Sequence, residues 1–359
     1  MLILAMQQTT ESLVIFTEIP ANNGLLGIIT LNRPNALNAI SVQMVIDISD
    51  QLYAWAKHPD INAVIIQSSS ERAFSAGGDL RQMYAASSVD ITQYAPFFRH
   101  EYKLNQLIHN YPKPYIALLD GIAMGGGLGL SVHGSHVVAA ENLKLAMPEV
   151  GIGLYPDVGA SFFLAHCPNF TGMYLGLTGS IINVHDAIYI GLVNNFVPRN
   201  NFPALINKLS QQDLRINPIA SINKIIAEFS LPSTNSQLAT HIDIIKSCFS
   251  QPDVKQIINA LNTNASTWAL AQVAIMQTKS PTSLKVTHKA MTLGAKQDIT
   301  ACLEMELNLS LQLIQRHDIY EGIRATLIDK THDPKWQPAT LDAVPHSLIA
   351  EMFEIKCKL

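Results

Sequence analysis

Charge is scarce in this chain. Asp, Glu, Lys and Arg make up 14% of its 359 residues, and the net charge is -4. That balance gives no reason to expect nucleic acid or an anionic membrane as a partner. Cysteine is sparse as well. Cys167, Cys248, Cys302 and Cys357 lie far apart and form no CxxC pair. They read as reduced thiols, with neither a disulfide framework nor a metal site expected. Long uninterrupted apolar runs are also lacking. The most apolar stretch, YIALLDGIAMGGGLGLSV, carries Asp120 and five glycines, which does not suit a membrane span, so its Gly121–Gly125 spacing is not a membrane dimer signal. The N-terminal MLILAMQQTTESLVIF has no basic residue. Neither a signal peptide nor a mitochondrial presequence is read there, and the expected location is the cytoplasm. What is abundant is apolar residues, at 48%, enough for one large domain with an appendage or for two domains.

Around Gly24–Thr30, LLGIITLN reads as a strand. SVQMVIDISDQLYAWAKH reads as a helix with Val42, Val45, Ile46, Leu52 and Tyr53 near one face. INAVIIQSS is a buried strand, residues 92–110 a helix, and PYIALLDG a third strand. A glycine turn opens a short helix, GLGLSVHG, and HVVAA and KLAMPE follow as strands. Strands alternating with helices predict parallel pairing through crossovers, an α/β fold. Strand spacing is irregular, so no fixed-repeat solenoid is expected. Beyond about residue 200 strand signals fade. Residues 13–200 are expected to form the core, and 201–359 a mainly helical region packed on it, interrupted at SLPSTNS and KSPTS.

Two glycine loops carry the first chemical signal. MGGGLGL (Met124–Leu130) sits between a strand and a helix, without the Lys-Ser/Thr of a P-loop or a dinucleotide fingerprint. Its glycines either permit a close helix–strand approach or leave backbone N–H groups aimed outward at a helix start. AFSAGGDL (Ala73–Leu80) follows a second strand. One N–H from each loop, converging, would hold a developing oxyanion.

Carboxylates in apolar surroundings are the second signal. MPEVGIGLYPDVGA holds Glu149 and Asp157 among Val150, Ile152, Leu154, Tyr155 and Val158. Each either starts or caps a helix, or is a poorly solvated acid fit for chemistry. Glu101 falls in the apolar stripe of Phe97, Leu104 and Ile108, so it points inward. It needs either a buried partner or a ligand. No GxSxG elbow accompanies a Ser-His-Asp order. His133 is read as packing or capping. His317, Asp318, Glu321 and Arg324 are spaced to meet on one helix face, as a network docking the C-terminal helices or as a pocket closure.

AFSAGGDL, DGIAMGGGLGL and AMPEVGIGLYPDVG, in this order, resemble the crotonase (enoyl-CoA hydratase/isomerase) superfamily. SVHG, PDVG, SPTSLKV and RHDIYEGIRATLIDKTHDPKWQP narrow the resemblance to its 3-hydroxyisobutyryl-CoA hydrolase branch. It spans about residues 13–340. It implies a crotonase-like spiral of strand-strand-helix turns with a helical C-terminal region. It implies an oxyanion hole from the N–H groups of Gly78 and Gly126, with Ala76, Gly77 and Gly125 beside a coenzyme A ester. Glu101 would line the substrate pocket, and Glu149 and Asp157 would be catalytic. Where hydratases of the family have a second glutamate, three residues past Gly126, this chain has Gly129. That speaks against hydration and for hydrolysis of a short-chain hydroxyacyl-CoA thioester, as in valine breakdown. The alternatives are an enoyl-CoA hydratase/isomerase and a non-catalytic acyl-CoA-binding protein. No cofactor is implied beyond the coenzyme A of the substrate. Relatives of that family commonly assemble through their C-terminal helices; here that region is longer, so the expectation is either a homo-oligomer or a region folded back on its own domain.

Overall fold

A computed structural model describes residues 12–87, 94–354 and 358–359. Most of the N-terminal stretch, the start of the helix read from residue 92, and Cys357 lie outside the described residues. The strands are β1 (Val14–Ala21), β2 (Gly24–Leu31), β3 (Ile61–Ser68), β4 (Ala73–Ser75), β5 (Tyr115–Leu119), β6 (Ile122–Met124), β7 (His136–Ala139), β8 (Lys144–Ala146) and β9 (Asn195–Phe196). The helices of the first part are α1 (Val42–Lys57), α2 (Leu80–Ser87), α3 (Ala95–His109), α4 (Gly126–Gly129), α5 (Ala160–Phe163), α6 (Thr171–Thr178) and α7 (Val184–Tyr189). Then come α8 (Phe202–Gln211), α9 (Pro218–Phe229), α10 (Ile242–Phe249), α11 (Val254–Asn264) and α12 (Thr267–Gln277). The last are α13 (Pro281–Gly294), α14 (Ile299–Leu313), α15 (His317–Ile323) and α16 (His346–Met352).

One sheet has the order β1-β2-β3-β5-β7-β9 and a second has β4-β6-β8. Among the named strands of the described residues β1–β2 pair antiparallel and the other pairs are parallel. Each turn of the chain therefore lays one strand in each sheet before a helix returns it, which is the expected spiral. The central strands read as unbroken apolar runs because both faces are covered. Val64, Ile66, Ala117 and Leu119 face the main core. Ala63, Ile65, Ile116 and Leu118 face Leu205, Leu209, Ile222 and Ile226 of α8 and α9. The main core runs from Val14 to Met352, so both halves of the chain share it.

Several local expectations change. β1 was not read from the sequence; half of it is exposed and only Val14 is fully buried, so its apolar pattern is weak. Ser41 caps α1 through Met44 N–H, and the buried face is Met44, Val45, Ile48, Leu52 and Trp55, while Tyr53 is exposed. The helix after the glycine turn is a single turn, Gly126–Gly129, and GLGLSVHG continues as turns. KSPTS is less a break than a start: Ser280 caps α13 through Ser283 N–H.

Candidate active site

The loop after β4 is fixed from the side by the β2–α1 connection. Ile40 N–H donates to Gly77 O (2.8 Å) and Asp79 N–H to Ile40 O (2.9 Å). Arg33 Nη1 reaches both Asp79 Oδ2 (2.7 Å) and Ala39 O (2.9 Å). The N–H of Gly78, between these bonds, has no acceptor among the described residues, and neither has that of Gly126. The two lie close: a Cβ placed on Gly126 would sit 3.5 Å from the Gly78 nitrogen. Two free donors at one spot, one of them at a helix start, form a seat for an oxyanion.

Glu101, Glu149 and Asp157 converge beside that seat. A Cβ on Gly126 would come within 2.5 Å of Glu101 Oε1, and one on Gly125 within 2.7 Å of Glu149 Oε1. A side chain at either position would push these carboxyls aside, and Gly125 also has a left-handed φ of +50°. The three acids are 3%, 6% and 5% exposed. Glu101 Oε1 and Glu149 Oε2 have no hydrogen-bond partner, and no cation pairs with either among the described residues. A buried ion pair for Glu101 is thus not what the structure holds. Asp157 does not cap a helix: the cap of α5 is Gly159, and Asp157 Oδ2 accepts Tyr102 O–H at 2.7 Å.

Burial first, and then the charge of Asp157, hold Glu101 and Glu149 well above the usual carboxylate range, with Glu149 adding to the rise of Glu101. Burial also pushes Asp157 up, to about 6, against the Tyr102 hydrogen bond that lowers it. The acids titrate as a set. Asp157 loses its proton first, because it alone has a hydroxyl donor. Neighbouring carboxyls raised to different degrees are an arrangement suited to acid–base chemistry.

Gly129 is not an empty position. A Cβ there would meet Asn105 Nδ2 at 2.7 Å and Val158 Cβ at 2.8 Å. Val158 itself has φ +53°, which turns its side chain into that space. The place from which a second hydratase glutamate would project is filled by Asn105 and Val158.

These groups line a cleft of ≈480 Å³, with Ala76, Gly77, Gly125, Phe97, Leu80 and Ile152 among its walls. Every site residue expected from the sequence lies on it. Reasoning from the sequence missed Lys279, Leu327 and His332, which also line it. Lys279 is largely buried, has no acidic partner among the described residues, and burial lowers its pKa. Its only mark in the sequence was as the first residue of KSPTS, a stretch read as an interruption between helices. His133 is no base: Nε2 donates to Val158 O at 2.7 Å and burial lowers its pKa to about 4. The His317–Arg324 set is a docking network. Asp318 takes Ser280 O–H (2.6 Å) and Gln337 N–H (2.7 Å), while Glu321 holds Arg324 through two bonds of 2.8 Å.

Comparison with known proteins completes the picture. The Enoyl-CoA hydratase/isomerase model matches residues 26–353. The chain belongs to that family. It is 41% identical over 338 residues to a protein named 3-hydroxyisobutyryl-CoA hydrolase, mitochondrial, of Xenopus tropicalis, covering 92% of this chain and 86% of that protein. The human protein of the same name is 39% identical, over 89% and 84%. Among solved structures, a carnitinyl-CoA dehydratase from Mycobacterium thermoresistibile superposes with a TM-score of 0.86 at 33% identity, over 94% and 96%. An enoyl-CoA hydratase from Rhodobacter sphaeroides 2.4.1 gives 0.85 at 31%, over 96% and 97%. The fold is thus that of the crotonases.

Proposed function

We propose that the protein hydrolyses the thioester of a short-chain 3-hydroxyacyl-CoA, with 3-hydroxyisobutyryl-CoA of valine breakdown as the substrate. The observation that carries this is the filled space at Gly129. With no room for a second hydratase glutamate, the acids beside the oxyanion seat are Glu149, Asp157 and Glu101. The names of the hydrolase relatives agree with this reading.

The thioester oxygen sits between the N–H groups of Gly78 and Gly126. Glu149 works at the carbonyl carbon, and Asp157, ionised first, is its proton partner. On the anhydride route Asp157 takes the Glu149 proton, and Glu149 carboxylate attacks the carbonyl. The C–S bond breaks and Asp157 returns the proton to the thiolate. Water then opens the anhydride, giving its proton to Asp157, which passes it back to Glu149. On the water route Asp157 takes the proton of the attacking water directly and hands it to the thiolate. Both release free acid and CoA thiol. Single-turnover hydrolysis in heavy-oxygen water separates them, since only the anhydride places label in the Glu149 side chain. Glu101 is the partner for the substrate hydroxyl, and Lys279 for a phosphate of coenzyme A.

Glu149→Gln and Asp157→Asn are expected to lower kcat roughly 100- to 10,000-fold with folding intact. Near-full thiol release by both would remove this assignment. The sequence reading expects the cytoplasm, whereas the relatives are named mitochondrial; fractionation of the source cells decides. Light scattering reads whether it is the homo-oligomer that the family resemblance suggests.

A further inference from the structure

Asp157 stands at the end of a chain of hydroxyl groups that the reaction above does not use directly. Tyr102 O–H donates to Asp157 Oδ2 at 2.7 Å. Tyr102 Oη also lies 2.7 Å from Ser310 Oγ, which lies 3.0 Å from Tyr155 Oη. Tyr155 O–H ends the chain on Glu306 O at 2.6 Å. Tyr102 and Ser310 are wholly buried, as is Tyr155. Ser310 and Glu306 are one turn apart on α14 and so share a face. Glu306 fixes the loop beyond Asp157: Oε2 accepts Gly159 N–H (2.6 Å), and Oε1 accepts Ser161 N–H (2.9 Å) and Ser161 O–H (2.6 Å). His133 holds the opposite side through Val158 O. Val158, held between them, keeps a left-handed backbone that a β-branched residue adopts only under constraint.

Counting hydrogens gives the chain a purpose. The final acceptor, a backbone carbonyl, cannot take a proton, so the chain is no exit to solvent. It can, however, reverse. When Asp157 is protonated, its O–H donates to Tyr102, Tyr102 to Ser310, Ser310 to Tyr155, and Tyr155 to Glu306 O. Every hydroxyl is then satisfied in one direction. When Asp157 is ionised, Tyr102 turns to donate to it and Ser310 turns to donate to Tyr102. The Ser310–Tyr155 contact is then the one left without a hydrogen.

We propose that Tyr102, Ser310 and Tyr155 form a reversible hydroxyl chain that gives Asp157 a hydrogen-bond partner in both protonation states, with Ser310 as the positioning residue that lets it turn. A proton partner that must take up and return a proton within each turnover needs this. The proposal rests on the function proposed above for Asp157. Other titratable groups facing Asp157 are Glu101 and Tyr94 from α3 and its approach, Glu149 from the preceding 3₁₀ turn, and Glu306 from α14. Lys and Arg are absent from the groups acting on it.

The test reads the Asp157 carboxyl itself. The infrared C=O band of the protonated acid is isolated as the difference between the protein and its Asp157→Asn variant, and is titrated. Ser310→Ala leaves the ionised state its Tyr102 donor but strips the protonated state of an acceptor for Tyr102 O–H. The midpoint is expected to fall by roughly one pH unit, the size of one neutral hydrogen bond. Tyr102→Phe removes the donor to the ionised state, so its midpoint is expected to rise. Ser310→Thr, which keeps the hydroxyl, should restore the wild-type value. A midpoint unmoved in Ser310→Ala, or shifts of the same sign in Ser310→Ala and Tyr102→Phe, overturns the proposal. Thermal melts of each variant show that it is folded, and Tyr102→Phe against wild type still decides should Ser310→Ala not fold. The band needs no turnover, so a wild type that releases no thiol would refute the proposed function while leaving this test intact.

Discussion

Asp157, Glu149 and Glu101 each give up solvent for a place beside the oxyanion seat, and the protein bears that cost at neutral pH. For Asp157 the sign is definite. Unfolded, it ionises near pH 4; folded, burial pushes it up to about 6. Below the unfolded value both states hold the proton and nothing is lost. As pH rises through the folded value, the stability of the neutral carboxyl is lost and the buried charge must be borne. Asp157→Asn is therefore expected to melt above wild type at pH 8, with the gain vanishing near pH 4. A difference that does not depend on pH would contradict the burial argument. Activity runs the other way, since Asp157 must be ionised to take a proton: kcat should fall as pH drops through about 6. At this scale the sequence was informative where an acid interrupts an apolar pattern, as at Glu101. It was silent on Glu306, Ser310 and Lys279. The partners of Glu306 and Ser310 lie more than 100 residues away in the chain, Lys279 reaches the cleft only through the fold, and no local pattern marks such meetings.

The elements around the site were legible to different degrees. Strands covered on both faces, such as β3 and β5, stand out as unbroken apolar runs. β4, β6 and β8 have three residues each, too few for any alternation to register; of the second sheet only β8 was read, within KLAMPE, while β4 and β6 were not. The glycine turn shows how packing decides chemistry. α4 is one turn long, and its last residue, Gly129, lies against Asn105 of α3, whose Nδ2 donates to Gly129 O at 3.0 Å, and against Val158. Gly129→Glu is expected to lose about 1–3 kcal/mol of stability by overpacking and to gain no hydratase activity, as urea melts and an enoyl-CoA hydration assay would read. A stable variant that hydrates would mean that the site differs from a hydratase by one side chain only.

Across the whole molecule, the two halves of the chain build one site. The spiral supplies the proposed oxyanion donors and the three acids, and the C-terminal helices supply groups that position and enclose them. α14 brings Glu306 and Ser310, and the segment before α13 brings Lys279 to the cleft wall. A largely buried lysine without a carboxylate partner among the described residues suits an anion on the ligand. Lys279→Ala is expected to raise KM for an acyl-CoA about tenfold or more while leaving kcat nearly unchanged; a fall in kcat alone would place Lys279 in the chemistry instead. The central claim is that this crotonase-fold cleft cleaves thioesters and does not hydrate double bonds. The direct measurement is thiol release from a panel of short-chain acyl-CoA esters, run beside loss of the enoyl double bond. Free thiol from 3-hydroxyisobutyryl-CoA, with enoyl-CoA left unhydrated, is the predicted result. Hydration of enoyl-CoA without thiol release, or tight ester binding with neither reaction, would contradict it.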